Sequence, residues 1–531
     1  MKIINLTLLF FLGSLSLFAQ DDEMERSSEV KITKSEPYPV VDAYSKSYYP
    51  IDGNSILGVK IQGKKQNKFI FQVFSGPQMN LKNSVTELME EKGFNFEYIK
   101  RMKDKLYFFY SIYDKPNTTE QLFVRSINMS EGGFDSEPTL LVSVSRKISG
   151  SYYYRYSAQG KFNIDVASNG ETFVIKYRYN PEEKDDSKNT DMIGMQVFNS
   201  NNLEKIWSND FTMPYTESMM DNLDFAVDSE GNGYFLIKKY KEEVTRKNRE
   251  DADNQSLAIL IAGSNGELNE VEFSLGDKLI SNVFMKENNK GDIICAGYYR
   301  KPKSYGIDGT FVSILDSKGD LSEPKFYEFS LDFIKKYKRI SERGKKKMEK
   351  ADENDNLAMS SLYMRDVAVL ADGGIVLAGE IFYITTYTDS KGNTHTTYHY
   401  DDVIVVKINA NGELGWMQKF PKRSTFESFK LFTSAKYTYV LFSDNPKNAD
   451  LPEDQGPHAS FAKERFVIAY RTNNATGERK HLALFGFKEI DGTPVYQYSL
   501  NRVIGLTDNS FAVEMYIKKK SDMMFKVEFE E

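Results

Sequence analysis

The chain has 531 residues, 40% of them hydrophobic and 14% aromatic, which is enough apolar surface to exclude global disorder. Its length requires either several domains or one large repeat architecture. Sixty-nine Lys and Arg against 76 Asp and Glu leave a formal net charge of −7, without the basic footprint of a nucleic-acid binder. A mean hydropathy of −0.50 with a single long apolar run excludes a polytopic membrane protein.

That run comes first. Lys2 precedes an almost unbroken apolar stretch from Ile3 to Phe18, then Ala19-Gln20 and the acidic Asp21-Asp22. This pattern predicts a secretory signal over residues 1–20, cleaved after Ala19 or Gln20, against the competing reading of an uncleaved anchor. The expected destination is the periplasm or the cell exterior. No cysteine lies near the cut to carry a lipid. In the following segment, 21–45, Val30-Lys31-Ile32-Thr33 alternates apolar and polar like a β-strand.

From residue 46 onward one phrase recurs: an apolar strand, a turn with Gly or Asn, and a second strand rich in aromatics. It reads Phe162–Val166, Asn169-Gly170, Phe173–Ile175, and again Phe225–Asp228, Gly231–Gly233, Tyr234–Ile237. Further copies surround Gly291, Gly373 and Asp508-Asn509, and one surrounds Gly53 near the start. Gly and Asn tolerate the positive φ that tight hairpins demand. Gly170, Gly231 and Gly291 recur about every sixty residues, room for one four-stranded propeller blade with long loops. A second strand–turn–strand phrase, such as Val403–Ile408, Asn411-Gly412, Glu413–Trp416, completes each unit. The expected fold is therefore all-β: a β-propeller over 46–531 of eight four-stranded blades, with seven the alternative because the copies at 95–112 and 428–443 are degenerate. The last unit has only three strands, and Val30–Thr33 is expected to supply the fourth and close the ring.

The phrases Asp372-Gly373-Gly374-Ile375, Leu377-Ala378-Gly379 and Asn411-Gly412-Glu413-Leu414-Gly415-Trp416 resemble the repeats of secreted bacterial β-propellers, including the delta-60 and related propeller-repeat families. The resemblance is good over 363–420 and recognisable at 160–320. It implies fold alone, since such repeats host many functions.

Three stretches interrupt the repeat. Residues 238–255 mix charges without apolar periodicity and read as a loop or extended hairpin tip. Residues 333–357 place Phe333, Ile334, Tyr337 and Ile340 at helical spacing, predicting a short amphipathic helix. Nine Lys and Arg between Lys335 and Lys350, among them Lys345, Lys346 and Lys347, are expected to face outward on that helix, solvated or docking an acidic partner, polymer or lipid. Residues 383–402 read as a protruding hairpin carrying Tyr383, Tyr387, His395, Tyr398, His399 and Tyr400. His395 and His399 share a strand face, but at ~3.3 Å per residue they stand roughly 13 Å apart, too far to chelate one ion. No metal or cofactor is expected, and the hairpin suits a protein or glycan partner.

The tyrosines 152–154 and 156 read as inter-blade packing, and the turn Asp228–Asn232 as an ordinary hairpin turn rather than a calcium loop. Cys295, the only cysteine, lies in an apolar strand and reads as inert core. The function expected is a non-enzymatic binding or scaffold propeller of the cell envelope or exterior. The alternatives are a hydrolase or lyase acting on polysaccharide or peptide at the channel mouth, and a structural subunit of a secretion or motility apparatus.

Overall fold

The computed structural model describes residues 25–531 except 64–65, 150, 154–156, 182–184, 246–247, 250, 303, 355–356, 461–464, 518–519 and 531, with backbone alone at 151–153 and 157–159. The expected signal segment and the whole tyrosine cluster at 152–156 lie outside the described side chains.

Seven sheets each contain four consecutive antiparallel strands, blades 1 to 7, spanning 45–88, 94–144, 163–216, 220–273, 279–328, 362–424 and 430–486, and in blade 3 Ile148–Ser149 adds a fifth, opposite Tyr179 and Arg178. The next sheet is composite. Val503–Thr507, Ser510–Ile517 and Ser521–Phe529 come from the C-terminal part, and Val30–Lys34 pairs antiparallel along the last of them, from Val30 opposite Phe529 to Lys34 opposite Phe525. The seven-or-eight alternative thus resolves into seven blades of contiguous chain and one sheet shared by both ends. Val30 is buried there, worth about 1.5–3 kcal/mol for a side chain of its class.

Apolar clusters join each sheet to the next around the whole ring, including Tyr48, Ile56 and Phe74 of blade 1 against Ala512 and Met524 of the composite sheet. Inner strands of neighbouring sheets touch, among them Asn163–Val166 with Met220–Val227, Met220–Val227 with Leu279–Glu287, and Ser45–Asp52 with Val503–Thr507, so they line the centre. Because the strands alternate in direction, all 1–2 and 3–4 turns leave at one end, and all 2–3 connections and inter-blade crossings leave at the other.

The first end is made of tight turns. Asp228 accepts the backbone N–H groups of Glu230 and Asn232 at 3.0 and 2.7 Å, and Asn288 those of Lys290 and Asp292 at 2.8 and 3.0 Å. Such side-chain acceptors close a turn without help from a ligand. Gly231 and Gly291 take φ of 91° and 85°, which other residues adopt only with strain. Both tryptophans fasten one blade to a turn of the next: Trp207 Nε1 donates to Gly231 O at 2.7 Å and Trp416 Nε1 to Asn474 O at 3.3 Å.

The other end carries the long segments, 241–254, 301–308, 329–361, 389–393 and 445–465. The insertion expected as one helix is two: α1, Leu331–Lys335, and α2, Glu342–Glu353. The break has a local cause. Tyr337 adopts a φ of 56°, and Ser341 caps a new helix by accepting the Gly344 N–H. Ile334 and Tyr337 are buried and Phe333 packs beside them, whereas Ile340 is only half-buried.

Candidate binding site

In blade 6 the two middle strands outgrow their neighbours. Ile375–Thr388 and Thr394–Ile408 pair to the tip, while the inner strand begins only at Leu362, opposite Ile381, and the outer one ends at Ser424, opposite Tyr400. Above that level stands a free two-stranded ribbon rich in Tyr and Thr, residues suited to a pleated strand. Its tip is an Asx turn: Asp389 accepts the N–H groups of Lys391 and Asn393, each at 2.9 Å. A further hydrogen bond to His395 at 3.1 Å, with these turn contacts, holds the Asp389 carboxyl down at about 2.

One ribbon face carries two stacked cross-strand pairs. Tyr383 lies over His399 with ring centroids 4.4 Å apart, and Tyr387 over His395 at 4.8 Å. Thr385 Oγ1 and His399 Nε2 are hydrogen-bonded at 2.8 Å, and Tyr383 donates its hydroxyl proton to Asp401 at 3.1 Å. The other face carries Ile384 and Tyr398, with Tyr400 tucked lower against Phe382 at 5.1 Å. Tyr387 is 63% exposed and Ile384 51%. The six hairpin residues singled out in the sequence therefore share one element. Lys345, Lys346 and Lys347 stand exposed on a different one, α2, with Lys345 tied to Glu342 at 2.9 Å.

The ribbon's root is rigid. Buried Lys422 pairs with buried Glu380 at 3.0 Å and also donates to Tyr400 O and Glu427 O, while Lys419 pairs with Asp402 at 3.1 Å. Arg365 and Ser428 occupy the second Glu380 oxygen at 3.2 and 2.8 Å. Such pairs position chain more than they stabilise it.

Beside the root, between blades 5 and 6, opens a cleft of about 850 Å³ lined by Arg300, Ser304, Tyr305, Ser361, Leu362 and Tyr363, among others. Tyr305 is fully exposed on its rim. Ile307 and Met359 exchange backbone hydrogen bonds of 2.9 and 2.8 Å, which ties its two walls together. Tyr363 sits 6.1 Å from Phe382, so cleft and hairpin form one continuous surface. Sequence reasoning missed the cleft, because its walls come from chain segments about sixty residues apart and carry no motif.

The carboxyls that burial raises toward neutrality bear on the hydrolytic alternative. Glu97, on the inner strand of blade 2, is pushed up to about 7 by burial, against hydrogen bonds from Ser111 Oγ at 2.5 Å and Asn95 Nδ2 at 2.8 Å. Its neighbour Glu120 is held by Lys161 at 2.8 Å. Asp444 is likewise pushed up to about 7 by complete burial. Both are core groups, fixed by their own blades. Asp165 and Asp224 lie on inner strands, but Asp165 is paired with Lys286 and Asp224 accepts the N–H groups of Phe225 and Met285. Cys295 is fully buried, and burial pushes its thiol well up. Among the described residues no cluster of three His, Cys, Asp or Glu is arranged to hold a metal.

No family model matches the chain, and no curated protein matches it. Solved structures show the same kind of fold. The β-propeller domain of the Trilobed protease from Pyrococcus furiosus aligns over 83% of this chain and 99% of its own, at 9% identity and a TM-score of 0.35. The WD40 domain of SCAP from fission yeast aligns over 96% and 98%, at 8% identity and 0.38. Prolyl oligopeptidase B from Galerina marginata aligns over 94% of this chain and 56% of its own, at 10% identity and 0.38. The likeness is of fold alone.

Proposed function

We propose that this chain is an exported, non-enzymatic binding propeller whose partner docks on the loop-bearing end, at the hairpin of blade 6 and the cleft beside it. The observation that supports it most is the exposure of the ribbon. Tyr383, Ile384, Tyr387 and Tyr398 leave water-facing apolar surface on a stalk whose root is held by buried ion pairs. Large exposed apolar patches on a rigid support are what partner surfaces are made of. The opposite end satisfies its polar groups internally through its own turns.

The test uses two forms of the full chain, intact and with 384–397 replaced by an Asn-Gly turn, immobilised and exposed to envelope extract. The intact protein retains a defined partner that the shortened one releases. Equal retention by both forms contradicts the reading.

A further inference from the structure

The hairpin has two long edges, and the inner one is open. The N–H of Phe382 points to that side, donating to Ser361 O at 2.9 Å just above the start of the inner strand. Peptide groups alternate along a strand, so Ile384, Thr386 and Thr388 turn their N–H and C=O groups outward, while Tyr383, Thr385 and Tyr387 spend theirs on His399, Thr397 and His395. Nothing guards this edge in the usual way. From Phe382 to Thr388 there is no Lys, Asp, Glu or Pro, and the one register irregularity lies below, between Glu380 and Phe382. An unguarded, rigid, aromatic edge is a template for one more strand.

We propose, resting on the binding reading above, that this edge takes an extended peptide segment of a partner protein by strand addition, antiparallel to Ile384–Thr388. Such a strand continues the line of the inner strand, which begins at Leu362 in the cleft. Antiparallel addition runs the peptide from the hairpin tip downward, so its carboxyl-terminal part enters the cleft. The preferred segment is uncharged and β-branched or aromatic along the edge, to pair with the Tyr and Thr side chains of the hairpin. Backbone pairing supplies affinity, and the cleft and the tyrosines supply selectivity.

The test selects binders from a library of random dodecapeptides on the full-length chain, then measures each selected synthetic peptide by calorimetry. N-methylation of successive backbone amides is expected to weaken binding at least tenfold at every second position and little between. Thr386→Pro removes an outward N–H without touching the hairpin's own ladder, and is expected to abolish binding. N-methylation effects without that alternation, selection of no peptide, or a wild-type dimer that Thr386→Pro dissolves would each overturn strand addition by a partner. A deletion-sensitive partner retained from extract alongside failed N-methylation would leave the binding reading standing and sink this one.

Discussion

Two stretches of sheet invert the usual rule of charges outside and aromatics inside. At the seam between blade 1 and the composite sheet, Lys60, Glu514 and Asp522 have no exposed side-chain surface and Lys46 has 10%. Lys46 reaches Glu514 at 2.8 Å and Asp522 at 2.9 Å, Lys60 pairs with Glu514, and Tyr38 donates to Glu514 at 3.0 Å. In the blade 6 hairpin the tyrosines stand in water instead. The difference follows from what each surface must meet. The seam joins chain segments more than 450 residues apart, and a buried ion cluster admits only one register, which is a reason to keep charges inside. Above Phe382 and Tyr400 no described strand of another element pairs with the hairpin, so its aromatic surface is spare.

The largest effect is expected from breaking the seam. Lys60→Met leaves Glu514 buried with less compensation and should lower stability by about 3–5 kcal/mol in denaturant unfolding. A loss below about 1 kcal/mol would show that the cluster is not a latch. The pH dependence sharpens the contrast between paired and unpaired carboxyls. Burial tends to raise Glu514, but the Lys60 and Lys46 ammonium groups overcome it and hold the carboxyl at about 2. Its contribution is complete above the ordinary carboxylate range and is lost as pH falls toward 2. Glu97 behaves oppositely. Raised to about 7 by burial, it is neutral in the fold but ionised in the unfolded chain between about 4.5 and 7, so it costs stability as pH rises through that window. Glu97→Gln should therefore be more stable than wild type by about 1–3 kcal/mol at pH 8 and equal to it at pH 4. A pH-independent difference in melting temperature would contradict this. The smallest effect belongs to the hairpin. Tyr387→Ala removes one exposed stack on His395 and should cost about 0.5 kcal/mol, measured the same way.

Much of the architecture was legible because Gly and Asn mark turns and the strands alternate. The closing strand could be read from Val30 and Ile32 and from the missing fourth strand at the chain's end. The units near 95–112 and 428–443 looked degenerate for a physical reason. The turn after Met102 uses Lys103 at a φ of 54° in place of Gly, and the turn 434–436 is closed by Ser434, whose N–H donates to Tyr437 O at 2.8 Å. Strand geometry survived where its sequence marker did not. The hairpin and its six aromatic and imidazole residues were visible because a repeat makes an insertion conspicuous. The cleft was not, and neither was the seam, since Lys60 within Gly58-Val59-Lys60-Ile61 looks like any outward lysine until Glu514 arrives beside it.

The most direct measurement is amide hydrogen exchange across the hairpin, residue by residue, with and without a selected peptide. In the free protein the Ile384, Thr386 and Thr388 amides should exchange fast and those of Tyr383, Thr385 and Tyr387 slowly. Peptide should then protect the fast set and leave the turns at 228–232 and 288–292 unchanged. Uniform protection of 383–388 in the free chain, or peptide protection at those turns instead, would contradict an open docking edge on the loop-bearing end.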